Sequence, residues 1–122
     1  MNKKKVDAYI PKAYAALAEC GIAKNGEIEK TFRGQISSFG AAMTMGSFKA
    51  AVAFFAKDAG SDVERSKLVQ AIHFVLSGEK VKAEAIARNI LRMTDEELRK
   101  AREQYIEASI AIKLAMNLYT LK

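Results

Sequence analysis

Residue types able to do chemistry are scarce in this chain: among 122 residues, His73 is the only histidine and Cys20 the only cysteine. One histidine cannot build a paired-histidine metal site within a single chain. A carboxylate di-metal bundle needs Glu-x-x-His on facing helices, and the position ahead of His73 in that spacing is Gln70. A Cys or Ser nucleophile would have to share the one imidazole with no supporting motif around it. Set in Ala71-Ile72-His73-Phe74-Val75, His73 reads as a packing residue on an apolar helix face, and Cys20 as a small buried hydrophobe near a helix end. A lone cysteine forms no internal disulfide, which makes a reducing cytoplasm the expected compartment. Gly34, Gly40 and Gly46 match neither a phosphate-cradling loop nor a dinucleotide fingerprint and read as packing glycines. Glu96 and Glu97 are adjacent, so on a helix they point in different directions and suit a helix start better than an acid–base pair. No catalytic residue, metal or cofactor is expected.

The cations are more informative. Lysine and arginine number 20 against 14 acids, a formal charge of +6. That balance favours polyanionic partners without by itself establishing nucleic acid. Lys82, Arg88, Asn89 and Arg92 fall within about 120° of one another at about 100° per residue, with Glu84 at the edge, and so form an outward basic stripe. Arg65 and Lys67 open the preceding helix, and Arg99, Lys100 and Arg102 the following one. The competing reading is a solvated face on which Glu84 pairs with Arg88. Ala42 and Gly46 have the spacing of a helix-turn-helix, but residues 49–56 offer one donor, Lys49, and no base-reading Arg, Asn or Gln. That helix belongs to the core.

The elements that must position these groups are helical. Apolar residues make up 50% of the chain, proline occurs once, and β-branched residues are too sparse to build a sheet. The expected fold class is all-α, one domain over residues 1–122, with about six helices and a long C-terminal one. The first helix runs up to Cys20 with Val6, Tyr9 or Ile10, Ala13, Tyr14 and Leu17 as its stripe and Gly21 as its stop; Pro11 means either a start near Ile10 or a kink. Asn25-Gly26 marks a turn, with residues 27–30 as a connector. Helices over residues 31–45 and 47–58 follow. Residues 36–56 carry one charge, Lys49, and are rich in Gly, Ala and Ser, with Phe39, Phe48, Phe54 and Phe55 as bulk. This segment is expected at the centre of the fold. It has the length of a membrane span, but its polar residues and Lys49 oppose insertion, and the basic N-terminal run lacks the apolar stretch of a signal peptide.

Beyond the loop Ala59-Gly60-Ser61-Asp62, Ser61 and Glu64 predict a capping box for a helix through Leu76 with Leu68, Ala71, Ile72 and Val75 inward. Ser77-Gly78 ends it. Residues 81–93 form the next, with Ala83, Ile86, Ala87, Ile90 and Leu91 inward. Thr94 and Glu97 make a second capping box for the last helix, whose seam is Leu98, Ala101, Tyr105, Ala108, Ile112, Ala115 and Tyr119. From Ser109 on, Ile110, Leu114, Met116, Leu118 and Leu121 widen the apolar surface, so this helix is either central or docks its end on another chain. Leu114, Leu118 and Leu121 are the candidate interface residues.

The wording Ile36-Ser37-Ser38-Phe39-Gly40-Ala41-Ala42, leading to Gly46 and then Ala50-Ala51-Val52-Ala53-Phe54-Phe55, resembles the small-subunit family of the type III-B CRISPR effector, the Cmr complex. Residues 14–26, residues 65–76 and Ile112-Lys113-Leu114-Ala115 are similar to that family in the same order, so the likeness covers nearly the whole chain. It departs from the family wording at Thr44-Met45-Gly46-Ser47-Phe48 and in having no tryptophan ahead of Lys113. The resemblance implies an all-helical, non-catalytic subunit repeated along an RNA-guided ribonucleoprotein. Its partners would be other Cmr subunits, copies of itself and the guide RNA–target RNA duplex, with cleavage left to the backbone subunits. Such a subunit neutralises phosphates without reading bases, because guide pairing reads the sequence. On the stripe reasoning the RNA-backbone contacts are Lys82, Arg88 and Arg92, with Arg65, Lys67, Arg99 and Arg102 as weaker candidates. The reading from another class is a helical protein-interaction module whose charge serves solubility.

Overall fold

Six helices and three very short strands follow one another in the computed structural model, which describes residues 2–58 and 60–122. Met1 of the basic N-terminal run and Ala59 of the expected loop lie outside the described residues. Helix α1 (Lys3–Glu19) starts where the Asn2 side chain accepts from the N–H groups of Lys4 and Lys5 at 3.0 and 3.2 Å. Its stop is Gly21, at φ +75°: Gly21 N–H bonds the Ala18 carbonyl and Ile22 N–H the Leu17 carbonyl, the paired bonds of a Schellman motif. The helix runs on through Pro11. Asp7, whose carbonyl loses its helical bond to the proline, is exposed, so water can satisfy it.

The expected connector after Asn25-Gly26 is a strand. Strand β1 (Ala23–Lys24) pairs antiparallel with β2 (Glu27–Ile28) through a turn with Asn25 at φ +54° and Gly26 at φ +76°, the signs a type I′ hairpin requires. Helix α2 (Lys30–Met45) follows, then α3 (Phe48–Phe55), capped by the Ser47 hydroxyl accepting from Ala50 N–H at 3.2 Å. Helix α4 (Ser66–Ser77) starts later than the sequence implies, and the capping box at Ser61 and Glu64 does not form. The Asp58 carboxylate takes the cap, accepting from the Ser66 N–H at 2.9 Å and the Ser66 hydroxyl at 3.0 Å. Residues 60–65 stay irregular and bury Val63 and Arg65 instead. Gly78, at φ +78°, ends α4 as expected.

Helix α5 (Ala83–Leu91) is shorter than residues 81–93. Helix α6 (Asp95–Met116) opens on the predicted capping box, Thr94 and Glu97 bonding reciprocally at 3.3 and 2.9 Å. After it, β3 (Thr120–Leu121) joins β2 in parallel, with Thr120 N–H on the Gly26 carbonyl at 2.9 Å and Lys122 N–H on the Ile28 carbonyl at 3.0 Å. The fold is all-α, with this small clasp added.

Helices α1, α2 and α4 all pack on α6. Ala108, Ala111, Ile112, Ala115 and Met116 expose nothing, so α6 holds the centre that the sequence assigned to residues 36–56. Those residues form two amphipathic helices. Ile36, Phe39, Met43, Phe48, Ala51, Val52 and Phe55 are buried, whereas Ser37, Ser38, Ala41, Met45, Ala50 and Ala53 are exposed and Phe54 keeps 59% of its surface. Phe39 and Phe55 stack across the pair with ring centroids 4.6 Å apart.

The two glycines of this segment therefore differ. A Cβ on Gly40 would meet only the Ser109 hydroxyl at 3.7 Å, an ordinary contact, whereas one on Gly46 would lie 2.9 Å from the Ala42 carbonyl oxygen. Gly40→Ala should raise stability by about 0.5–1 kcal/mol through helix entropy, and Gly46→Ala should lower it. Ala51→Leu, overpacking a buried site, should cost about 1–3 kcal/mol. Urea unfolding midpoints check all three; a loss at Gly40 equal to that at Gly46 would overturn the distinction.

Candidate nucleic-acid interface

Ala83, Ile86 and Ile90 bury one side of α5, which packs on α3 and α4 and so turns its polar side outward. Lys82 occupies the N-cap with extended backbone, Arg88 lies in the last turn and Arg92 is the C-cap, where positive charge suits the helix dipole. All three are exposed, and none of their side chains has a hydrogen-bond or ion-pair partner among the described residues. The Glu84–Arg88 pair that would neutralise the stripe does not form within 4.0 Å. Leu91, expected inward, is exposed. It borders a shallow apolar groove with Ala53, Ala56 and Ala87.

On its other side, α5 borders a groove of about 590 Å³ between α4, α5 and α6. Arg88 and Asn89 line it from α5, Arg92 from the C-cap, His73 from α4, exposed Glu79 from the loop before α5 and Gln104 from α6, over buried Ile86, Ile90, Ala101 and Tyr105. The stripe was legible from helical spacing. Gln104 and Tyr105 were missed as neighbours of it because they come from another helix. Burial pushes the His73 pKa below its ordinary value against the opposing negative charge of Glu79, and burial pushes the Tyr105 hydroxyl up. Cys20 is buried, and burial raises its thiol pKa, in line with a packing role.

The weaker cation candidates separate. Arg65 is only 7% exposed: its Nε donates to the Lys57 carbonyl at 2.6 Å and its guanidinium lies 4.1 Å from the Phe54 ring centroid. This removes it from the surface. Arg102 donates to the Met43 and Thr44 carbonyls at 3.0 and 2.9 Å, satisfying the last turn of α2. Lys67 is half-buried beside the Gly21 carbonyl, 3.4 Å away, and 3.9 Å from Glu64. Arg99 is exposed and 4.0 Å from Glu96. None of these four lines the groove.

The C-terminal apolar residues do not share one helix face, because α6 ends at Met116. Leu114 and Leu118 are 44% and 64% exposed, while Leu121 is half-buried in β3. Tyr119 folds back to stack on Tyr14 at 4.7 Å and donates its hydroxyl to the Tyr14 carbonyl at 2.9 Å. Among the described residues no group of three or more His, Cys, Asp or Glu is placed to hold a metal, and no helix is long and apolar enough to cross a membrane. Comparison with family models, curated proteins and solved structures finds no match for this chain.

Because burial depresses the His73 pKa below 6.5, the unfolded chain takes up this proton first as pH falls. The stabilising contribution is complete above 6.5 and is lost as pH falls from there toward the folded-state pKa. Urea unfolding at pH about 7.5 and about 5.5 should therefore show a smaller loss of stability for His73→Gln than for the wild type. Equal losses would assign the pH dependence to other groups.

Proposed function

We propose that this chain is a non-catalytic small subunit of a type III-B CRISPR (Cmr) ribonucleoprotein, contacting the RNA backbone through Lys82, Arg88 and Arg92. The observation that carries this reading is the exposed α5 stripe, whose cations have no carboxylate partner among the described residues. Unpaired, solvated cations on a rigid helix are what sequence-independent phosphate neutralisation requires, and neither Arg65 nor Arg102 belongs to that surface. The wording of residues 36–56 supports the family assignment, and the six-helix fold agrees with it. Exposed Leu114 and Leu118 supply an apolar surface for neighbouring subunits, the feature that also favours the plain protein-interaction reading.

Two measurements test these parts. In the assembled complex, log affinity for single-stranded RNA falls with log salt at a slope of about −0.7 per neutralised phosphate, so Arg88→Ala with Arg92→Ala should flatten the slope by about 1.4. The loss should be the same for unrelated guide-matched targets, with cleavage unchanged once RNA is bound. A loss that depends on sequence would mean base reading, and an unchanged slope would leave the stripe as a solvated face. Separately, Leu114→Asp with Leu118→Asp should weaken subunit association while circular dichroism stays helical. Undiminished association would remove this surface from assembly.

A further inference from the structure

The groove between α4, α5 and α6 goes beyond backbone neutralisation, and the inference drawn from it rests on the RNA-binding reading above. We propose that it receives one unpaired nucleobase of the strand whose phosphates Arg88 and Arg92 neutralise. At about 590 Å³ it lies within the ~300–1,000 Å³ range of small-molecule sites. Its floor is apolar and fixed: Ile86, Ile90 and Ala101 are buried, and Tyr105 is held by an edge-to-face contact with Phe48 at 5.2 Å.

Three features converge on a nucleotide. The apolar floor suits the face of a base, the arginines at the rim suit its phosphate, and the amides of Asn89 and Gln104 suit its edge. Neither amide side chain has a hydrogen-bond partner among the described residues, and both are exposed. An amide offers donors and an acceptor together, so such a site accepts different base edges and keeps binding tolerant of sequence. Burial favours the neutral imidazole of His73, which adds one donor and one acceptor without a charge. A lipid tail would leave these polar groups unmatched.

The test is an NMR titration of the full chain at low salt with hexauridylate and with an abasic ribose-phosphate hexamer of equal charge. The base-containing oligomer should bind about 5-fold or more tighter, in line with the stacking of a base on an apolar surface, and should shift amides of α5 and of residues 101–105. Ala85→Phe, narrowing the groove from a half-buried position, should abolish the difference while the salt slope persists. Asn89→Leu, at an exposed position that leaves the core intact, should reduce it. Equal affinity for the two oligomers, or a difference that both variants retain, would overturn the base site and leave the phosphate reading standing. No salt-dependent binding of either oligomer would overturn both. Groove shifts produced by a hexaglutamate peptide and not by the RNA would overturn it in favour of a protein ligand.

Discussion

Ala108, Ala111 and Ala115 carry no exposed surface, and their short side chains let α1, α2 and α4 approach the α6 backbone closely. Ile112 and Met116 fill the space between, each fully buried and worth about 1.5–3 kcal/mol of apolar transfer. The same helix also satisfies the ends of its neighbours. Arg102 donates to the Met43 and Thr44 carbonyls in the last turn of α2, and buried Glu107 accepts from the Asn2 N–H at 2.8 Å, at the positive end of α1. Glu107 Oε1 is buried without a hydrogen-bond partner among the described residues. A carboxylate in that position ties the start of α1 to the middle of α6 and fixes its register. The clasp of β3 on the hairpin then closes the far end of the same helix pair.

What the sequence discloses and what it withholds divide by range of interaction. The Thr94–Glu97 box and the glycine stops at Gly21 and Gly78 are local devices, complete within a few residues, and each is formed as read. The Asp58 cap, the β2–β3 pairing and the burial of Arg65 depend on residues brought together by the fold, and no local pattern announces them. Apolar content misplaced the centre because it ignores direction. Residues 36–56 are rich in small apolar residues, but α2 and α3 leave Ala41, Ala50 and Ala53 on the outside, while α6, more polar on average, turns alanines and isoleucine to three neighbours. Strands of two residues have no period to detect at all.

The site follows the same division. Helical geometry alone places Lys82, Arg88 and Arg92 on one exposed side of α5, whereas the groove beside them needs His73 and Gln104 from two other helices. Sequence counting also overstates the cations available. Arg65 is spent under Phe54, Arg102 on α2, and Lys67 sits between Gly21 and Glu64, so the formal charge of +6 does not translate into a uniform positive surface.

That the α5 stripe holds only three cations has a consequence for the proposed function. Non-specific binding at physiological salt has dissociation constants of roughly 10⁻⁴ to 10⁻⁶ M, and two or three phosphate contacts from one copy stand at the weak end of that range. The same contacts become effective when copies are joined in one assembly, because binding of one copy then raises the effective concentration of the strand at the next. A rigid α5, held by Ala83, Ile86 and Ile90, suits that use: it presents identical cations at a fixed offset in every copy. Exposed Leu114 and Leu118 lie on α6 and the turn after it, on different elements from the α5 stripe. On the proposed reading, assembly and RNA contact would use separate surfaces, and neither would compete with the other.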